Sequence, residues 1–123
     1  MNITQKILVA DDDSDMLELL KTLLSKAGYE VITAENGLEA VEKAQKELPA
    51  LVMLDIHMPK MDGLKACQAI KSGQLTRSIP VVMLTVEGSM PEIQRAMGYG
   101  AETYLTKPSS REEILKVVKS ILS

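Results

Sequence analysis

Apolar and polar positions along this chain alternate between two periods, and each change of period marks an element. Lys6-Ile-Leu-Val-Ala10 is a short apolar run, the pattern of a strand buried on both faces. From Met16 the apolar residues fall at 16, 17, 20, 23, 24 and 27, a helical stripe, and Gly28 follows where helices favour a left-handed residue. Residues 30–34 form a second strand pattern. Asn36 opens a helix, with Glu39 placed to complete a capping box. That helix is expected to turn Leu38, Val41, Ala44 and Leu48 inward and to close at Pro49.

Leu51-Val-Met-Leu-Asp55 is the third strand, and Asp62 caps a helix of about 63–72 that ends at Ser72-Gly73. Pro80 leads into a fourth strand over 81–85. Ser89-Met-Pro-Glu92 has the form of a helix start, with a capping Ser, an early Pro and a Glu at the third position. This helix stops near Gly98 or Gly100. A short fifth strand covers 103–106. Ser110-Arg-Glu-Glu113 opens a last helix, which gathers Ile114, Leu115, Val118, Ile121 and Leu122 on one side.

Strands separated by helical crossovers demand a parallel sheet covered on both faces. Right-handed crossovers make this an α/β, doubly wound (βα)5 fold, a flavodoxin-like three-layer sandwich with strand order 2-1-3-4-5. Residues 1–123 are read as one domain, without linker or internal repeat.

Composition narrows the core. Hydrophobic residues make up 46% of the chain but aromatic ones only 2%, with no Phe or Trp, so Leu, Ile, Val, Ala and Met must fill it. The eight Met residues suit irregular gaps. A formal net charge of −3 speaks against nucleic-acid binding through a basic face. No apolar run approaches the ~20 residues of a membrane span. Met1-Asn-Ile-Thr-Gln-Lys6 lacks the basic and apolar segments of a signal peptide. A cytoplasmic protein without membrane contact is therefore expected. The single cysteine, Cys67, excludes an internal disulfide and a multi-cysteine metal site, and reads as a small hydrophobe.

The strand order turns scattered polar residues into a candidate site. Strands 1 and 3 become neighbours at the topological switch point, where open α/β sheets place their ligands. Asp11, Asp12 and Asp13 follow strand 1, with Asp15 just beyond; Asp55 ends strand 3, Thr85 ends strand 4, and strand 5 leads to Lys107. Taken singly, each has a structural explanation. Asp13 or Ser14 caps the first helix and Asp15 suits its dipole. Asp55 would start a turn, Thr85 would be a strand-end hydroxyl and Lys107 a solvated loop residue.

Asp11 and Asp12 precede the helix and lie beside Asp55, where capping does not account for them. Two unit charges ~4 Å apart repel by about 4 kcal/mol at an effective dielectric of ~20. Three crowded carboxylates ask for a counter-charge, and an all-oxygen set favours a hard divalent cation. Mg2+ suits it, with Mn2+ as a substitute. A phosphoryl group on Asp55 would add roughly two negative charges. The cation and Lys107 would neutralise these, and the Thr85 hydroxyl would hydrogen-bond a remaining oxygen.

The chain resembles a response-regulator receiver domain of two-component signalling, the CheY-like family, over essentially its whole length. The matching pieces are Ile7-Leu-Val-Ala-Asp-Asp-Asp13, Leu54-Asp-Ile-His-Met-Pro-Lys-Met-Asp-Gly63, Pro80-Val-Val-Met-Leu-Thr85, Gly100-Ala101 and Tyr104-Leu-Thr-Lys-Pro108. The resemblance implies Asp55 as phosphoacceptor, Asp11 and Asp12 as the acidic metal pair, and the backbone carbonyl of His57 as a further ligand. It implies Thr85 and Tyr104 as a coupled switch, Lys107 as the phosphate-binding cation, and a cis Lys107–Pro108 bond. His57 and Glu87 would modulate phosphoaspartate hydrolysis. Val86 departs from the smaller residue such domains usually carry there and would narrow access to Asp55. Thr103 and Ser109 replace the Asp and Phe of many DNA-binding relatives, which puts in doubt the dimer those relatives form. Arg95, Tyr99 and Tyr104 would still offer a partner surface there.

The implied function is a phosphorelay switch. A sensor histidine kinase or a histidine phosphotransfer protein would load Asp55. The face made by the fourth helix, fifth strand and fifth helix would then change its affinity for a downstream protein target or a fused output domain. Beginning at Met1 and ending just past the last helix, the chain is expected to be a free-standing regulator. Two other classes compete. A haloacid-dehalogenase type enzyme also uses a strand-end Asp, Mg2+, a Thr and a Lys, and Asp11 to Asp13 has its spacing; sustained turnover of a phosphate ester would mark it. A pseudo-receiver would serve only as an interaction module and bind no Mg2+.

Overall fold

A computed structural model describes residues 4–86, 90–107 and 109–122. In chain order the elements are β1 (Lys6–Ala10), α1 (Ser14–Lys26), β2 (Glu30–Ala34), α2 (Gly37–Glu47), β3 (Leu51–Asp55), α3 (Gly63–Ser72), β4 (Val81–Val86), α4 (Met90–Gly98), β5 (Thr103–Lys107) and α5 (Arg111–Leu122). The five strands are parallel, in the order β2-β1-β3-β4-β5 expected from the sequence. Every residue of β3 is buried, as a central strand covered on both sides must be.

Alternate strand residues feed two cores. Leu8, Val52, Leu54, Val81 and Met83 pack on one face with Ala40 and Ala44 of α2, Ala66, Cys67 and Ile70 of α3, and Ile93 and Ala96 of α4. Ile7, Val9, Met53, Val82 and Leu84 pack on the other with Leu17, Leu20 and Leu24 of α1 and Ile114 and Val118 of α5. Cys67 is buried, and burial pushes its thiol up to about 11.

Helix starts follow the capping residues. Asp13 accepts from the N–H groups of Asp15 and Met16, Asn36 from Glu39, and Asp62 from Lys65. Ser110 and Glu113 pair reciprocally at the start of α5. Gly28 takes φ +101 just past α1.

Two expectations need correcting. Leu38 and Leu48 are 45% and 50% exposed, not turned inward. The buried stripe of α2 is Gly37, Ala40 and Ala44, which leaves Leu38 a step around the helix; Leu48 is the left-handed cap at φ 46. The capping box at Asn36 forms only by half, because the Glu39 carboxylate pairs with Lys43 at 3.0 Å. Ser89, expected to cap α4, lies outside the described residues.

Two glycines fix the loop between β3 and α3 by close approach. A Cβ on Gly63 would stand 2.0 Å from the backbone oxygen of Asp55, and one on Gly37 would stand 2.0 Å from that of Met61. The Gly63 N–H donates to the Ile56 carbonyl at 2.7 Å, and the Gly37 N–H donates to the Met61 carbonyl at 2.9 Å. The loop is thus pinned at both ends. Gly63→Ala and Gly37→Ala are each expected to lower the unfolding free energy by roughly 1–3 kcal/mol through overpacking, read from the urea midpoint at unchanged slope.

Candidate functional site

The carboxyl ends of β1, β3 and β5 converge on one rim. The Asp11 N–H donates to the Ala34 carbonyl at 3.1 Å, carrying the β1–β2 ladder one residue past Ala10. Asp11 is wholly buried. Its Oδ1 accepts from the Asp13 N–H at 3.0 Å and its Oδ2 from the Lys107 ammonium at 2.5 Å. Asp55, the last residue of β3, is buried, and its Oδ2 lies 3.5 Å from the same Lys107 Nζ. Asp12 is exposed. One carboxylate oxygen from each of Asp11, Asp12 and Asp55 lies within 4.8 Å of the others.

The electrostatics follow from this crowding. Burial pushes the Asp55 carboxyl up to about 6, and the neighbouring charge of Asp11 pushes the same way. Lys107 and the His57 backbone N–H oppose them without prevailing. For Lys107, burial favours the neutral amine, but the hydrogen bond to Asp11 and the charges of Asp55 and Asp11 outweigh it and raise the pKa. One ammonium serves two buried carboxylates.

Thr85 is buried at the end of β4, and its hydroxyl donates to the Val86 carbonyl at 3.1 Å. Val86 is 53% exposed, and Tyr104 on β5 is exposed as well. Arg95 on α4 and Tyr99 just past its end are exposed too. Ser109, past β5, donates its hydroxyl to the Thr106 carbonyl. His57 lines a shallow cavity of about 350 Å3 with Asp12, Met58, Pro59 and Asp62. Its Nε2 stands 3.2 Å from Oε1 of Glu92. Glu87 and Pro108 fall outside the described residues. The fold therefore gathers Asp11, Asp12, Asp55 and Lys107, while the Thr85 hydroxyl is bonded to the Val86 carbonyl and Tyr104 is exposed. Nothing in the residue pattern pairs Glu92 with His57, since a Glu early in a helix reads as part of its own cap.

Residues 7–119 match the family model of the response regulator receiver domain. The chain belongs to this family. It is 40% identical over 122 residues to the alkaline phosphatase synthesis transcriptional regulatory protein PhoP of Bacillus subtilis, covering 98% of this chain and 49% of that protein. It superposes on the chemotaxis response regulator CheY4 of Vibrio cholerae with a TM-score of 0.91 at 34% identity, over 97% of this chain and 99% of that one. The receiver domain of the sensor histidine kinase PA1611 from Pseudomonas aeruginosa, with a magnesium ion coordinated in its active-site cleft, matches with a TM-score of 0.89 at 25% identity, over 98% and 100%. The chain spans about half the length of the first curated relatives it matches.

Receiver domains are signalling domains of two-component systems, and phosphorylation and Mg2+ binding are general features of the family. This receiver has no helix, among the described residues, that is long and apolar enough to cross a membrane.

A raised Asp55 pKa makes the metal-free receiver less stable as its carboxyl ionises. The stability from holding the proton is fully present below the ordinary value of 3.8 and is lost as pH rises through about 6. Two units correspond to roughly 3 kcal/mol at most. Asp55→Asn should therefore stabilise the chelator-treated receiver by ~1–3 kcal/mol at pH 7.5, with the gain shrinking toward pH 4. Urea unfolding of both proteins across that pH range measures it.

Proposed function

We propose that this receiver takes a phosphoryl group onto Asp55 from a phosphohistidine of a sensor histidine kinase or histidine phosphotransfer protein, and passes the change to a partner. The observation that supports the reading most is the meeting of Asp11, Asp12 and Asp55 within 4.8 Å, with Lys107 held between the two buried carboxylates. The donor set is all oxygen and carries more negative charge than one lysine balances. It therefore fits a hard divalent cation, Mg2+ or in its place Mn2+. Asp11, Asp12, Asp55 and the His57 carbonyl would hold it. The cation would supply charge neutralisation of the phosphoryl oxygens.

The residues divide the remaining work. An Asp55 carboxylate oxygen attacks phosphorus, the P–N bond to the donor histidine breaks, and the imidazole leaves with its electron pair and takes a proton. Lys107 follows the new negative charge. The Thr85 hydroxyl turns from the Val86 carbonyl to a phosphoryl oxygen, and Tyr104 moves into the space it leaves. The surface of α4, β5 and α5, carrying Arg95, Tyr99 and Tyr104, then changes its affinity for a downstream protein or a fused output domain. Phosphorylation shifts that equilibrium only by its differential stabilisation of the active arrangement. Val86 stands at the rim and narrows the approach to Asp55. Neither nucleic acid nor membrane is a partner on this reading. Residues 1–123 act as one receiver domain, a signalling switch and not a turnover enzyme, in the cytoplasm where ATP charges the donor.

Acetyl phosphate with Mg2+ is expected to add one phosphoryl group by intact mass, and Asp55→Asn to abolish it. Full labelling of that variant would move the acceptor elsewhere, and continuous release of phosphate from an ester would favour an enzyme. Since only the ionised carboxylate binds metal, Mg2+ affinity should fall as pH drops through about 6, approaching tenfold per unit well below it. Calorimetric titration at several pH values checks the trend.

A further inference from the structure

Glu92 sits in the first turn of α4, where a carboxylate ordinarily serves the orphan N–H groups and the dipole of its own helix. Here its Oε1 lies 3.2 Å from His57 Nε2. His57 stands two residues past Asp55, in the loop that follows β3, whereas α4 follows β4. Because β3 and β4 are neighbours in the sheet, the contact bridges their carboxyl ends beside Asp55. The His57 side chain is 64% exposed and the Glu92 side chain 30%. The carboxylate is thus the better anchored half, and without it the imidazole has solvent to swing into.

We propose that Glu92 is a positioning residue, holding the His57 imidazole as a strap over the rim between β3 and β4 and so limiting the approach of water and small phosphodonors to Asp55. This rests on Asp55 being the acceptor. In the hydrolysis it limits, a water oxygen attacks phosphorus and the P–O bond to Asp55 breaks. Inorganic phosphate departs, the water's proton passes to solvent, and the carboxylate is regenerated. Glu92 touches none of the reacting atoms and acts through the ring it holds.

The test uses the full chain and the variants E92A, E92D, H57A and H57A/E92A, labelled with acetyl phosphate and Mg2+ and followed by intact mass after donor removal. E92A should speed both labelling and decay by about two- to fivefold, the scale of a solvent-exposed side-chain contact, with the Mg2+ half-saturation unmoved. E92D should restore the slower decay. H57A/E92A should decay no faster than H57A. Unchanged rates in E92A, or an E92A effect that persists at full size in the H57A background, would overturn the strap. The chain has one histidine, so its ring resonances report the contact directly by NMR at fixed pH. They should shift in E92A, and a ring indifferent to that substitution also overturns the proposal. If the unaltered chain takes no label at Asp55, the phosphoacceptor reading fails, and the ring resonances still judge the strap on their own.

Discussion

The Lys107 ammonium, placed 2.5 Å from Asp11 and 3.5 Å from Asp55, is the contact on which the rest of the site depends. Asp11 follows β1 and Lys107 ends β5, so the pair closes over the ends of β3 and β4. Three strand spacings amount to ~14 Å at the usual separation, a gap that sheet twist and the long lysine stem must close. A residue 96 positions away in sequence supplies the internal counter-charge. Without it, two carboxylates buried side by side would have to shed a proton's worth of charge, since an unpaired buried ion costs more than folding can spare.

That compensation is incomplete, and the incompleteness is informative. An Asp carboxyl held up at about 6 is one that burial, and then the charge of Asp11, disfavour in its ionised form by more than Lys107 offsets. Replacing a whole buried charged set by packed apolar residues is often neutral or stabilising, so such an arrangement is weak evidence of a stabilising role. The backbone around the rim is correspondingly over-determined. Gly63 brings α3 against the Asp55 carbonyl, Gly37 brings α2 against Met61, and the Ile56 N–H is bonded to the Leu84 carbonyl at 3.1 Å. Close packing on the Ala-rich face lets these helices come near enough to do so, through Ala40, Ala44 and Ala66. Strain at the carboxylates is held by rigidity beneath them.

Much of this was legible in the sequence, because it depends on periods and caps. The strand runs, the stripes of α1 and α5 and the caps at Asp13, Asn36, Asp62 and Ser110 are local signals, and strand order followed from crossover handedness. That order alone brought Asp11, Asp12, Asp55 and Lys107 to one rim. What stayed hidden depends on tertiary approach. Leu38 and Leu48 have the residue type of core positions, but the alanines and Gly37 of α2 take the buried side. Gly63 read as a turn residue, yet its backbone does not need a left-handed angle; it needs the absence of a side chain. Lys60 carries a left-handed φ of 66 that nothing in a lysine announces. The Glu92 carboxylate had a local partner by rule and meets His57 in space instead, whereas Glu39 leaves its cap for Lys43 one turn along the same helix.

The unequal distances from Lys107 bear on how the proposed switch would be energised. In the described state the ammonium lies closer to Asp11 than to Asp55, although Asp55 is the group proposed to gain charge. A phosphoryl group on Asp55 moves the centre of negative charge outward, and Lys107 can follow it only by loosening its bond to Asp11. Asp11 is wholly buried and cannot stand uncompensated, so its oxygens must at that moment have another cation beside them. Metal binding and phosphoryl acceptance are therefore coupled through one lysine on this reading. Linkage makes the coupling reciprocal: the free energy by which phosphorylation of Asp55 tightens the metal is the free energy by which the metal favours phosphorylation.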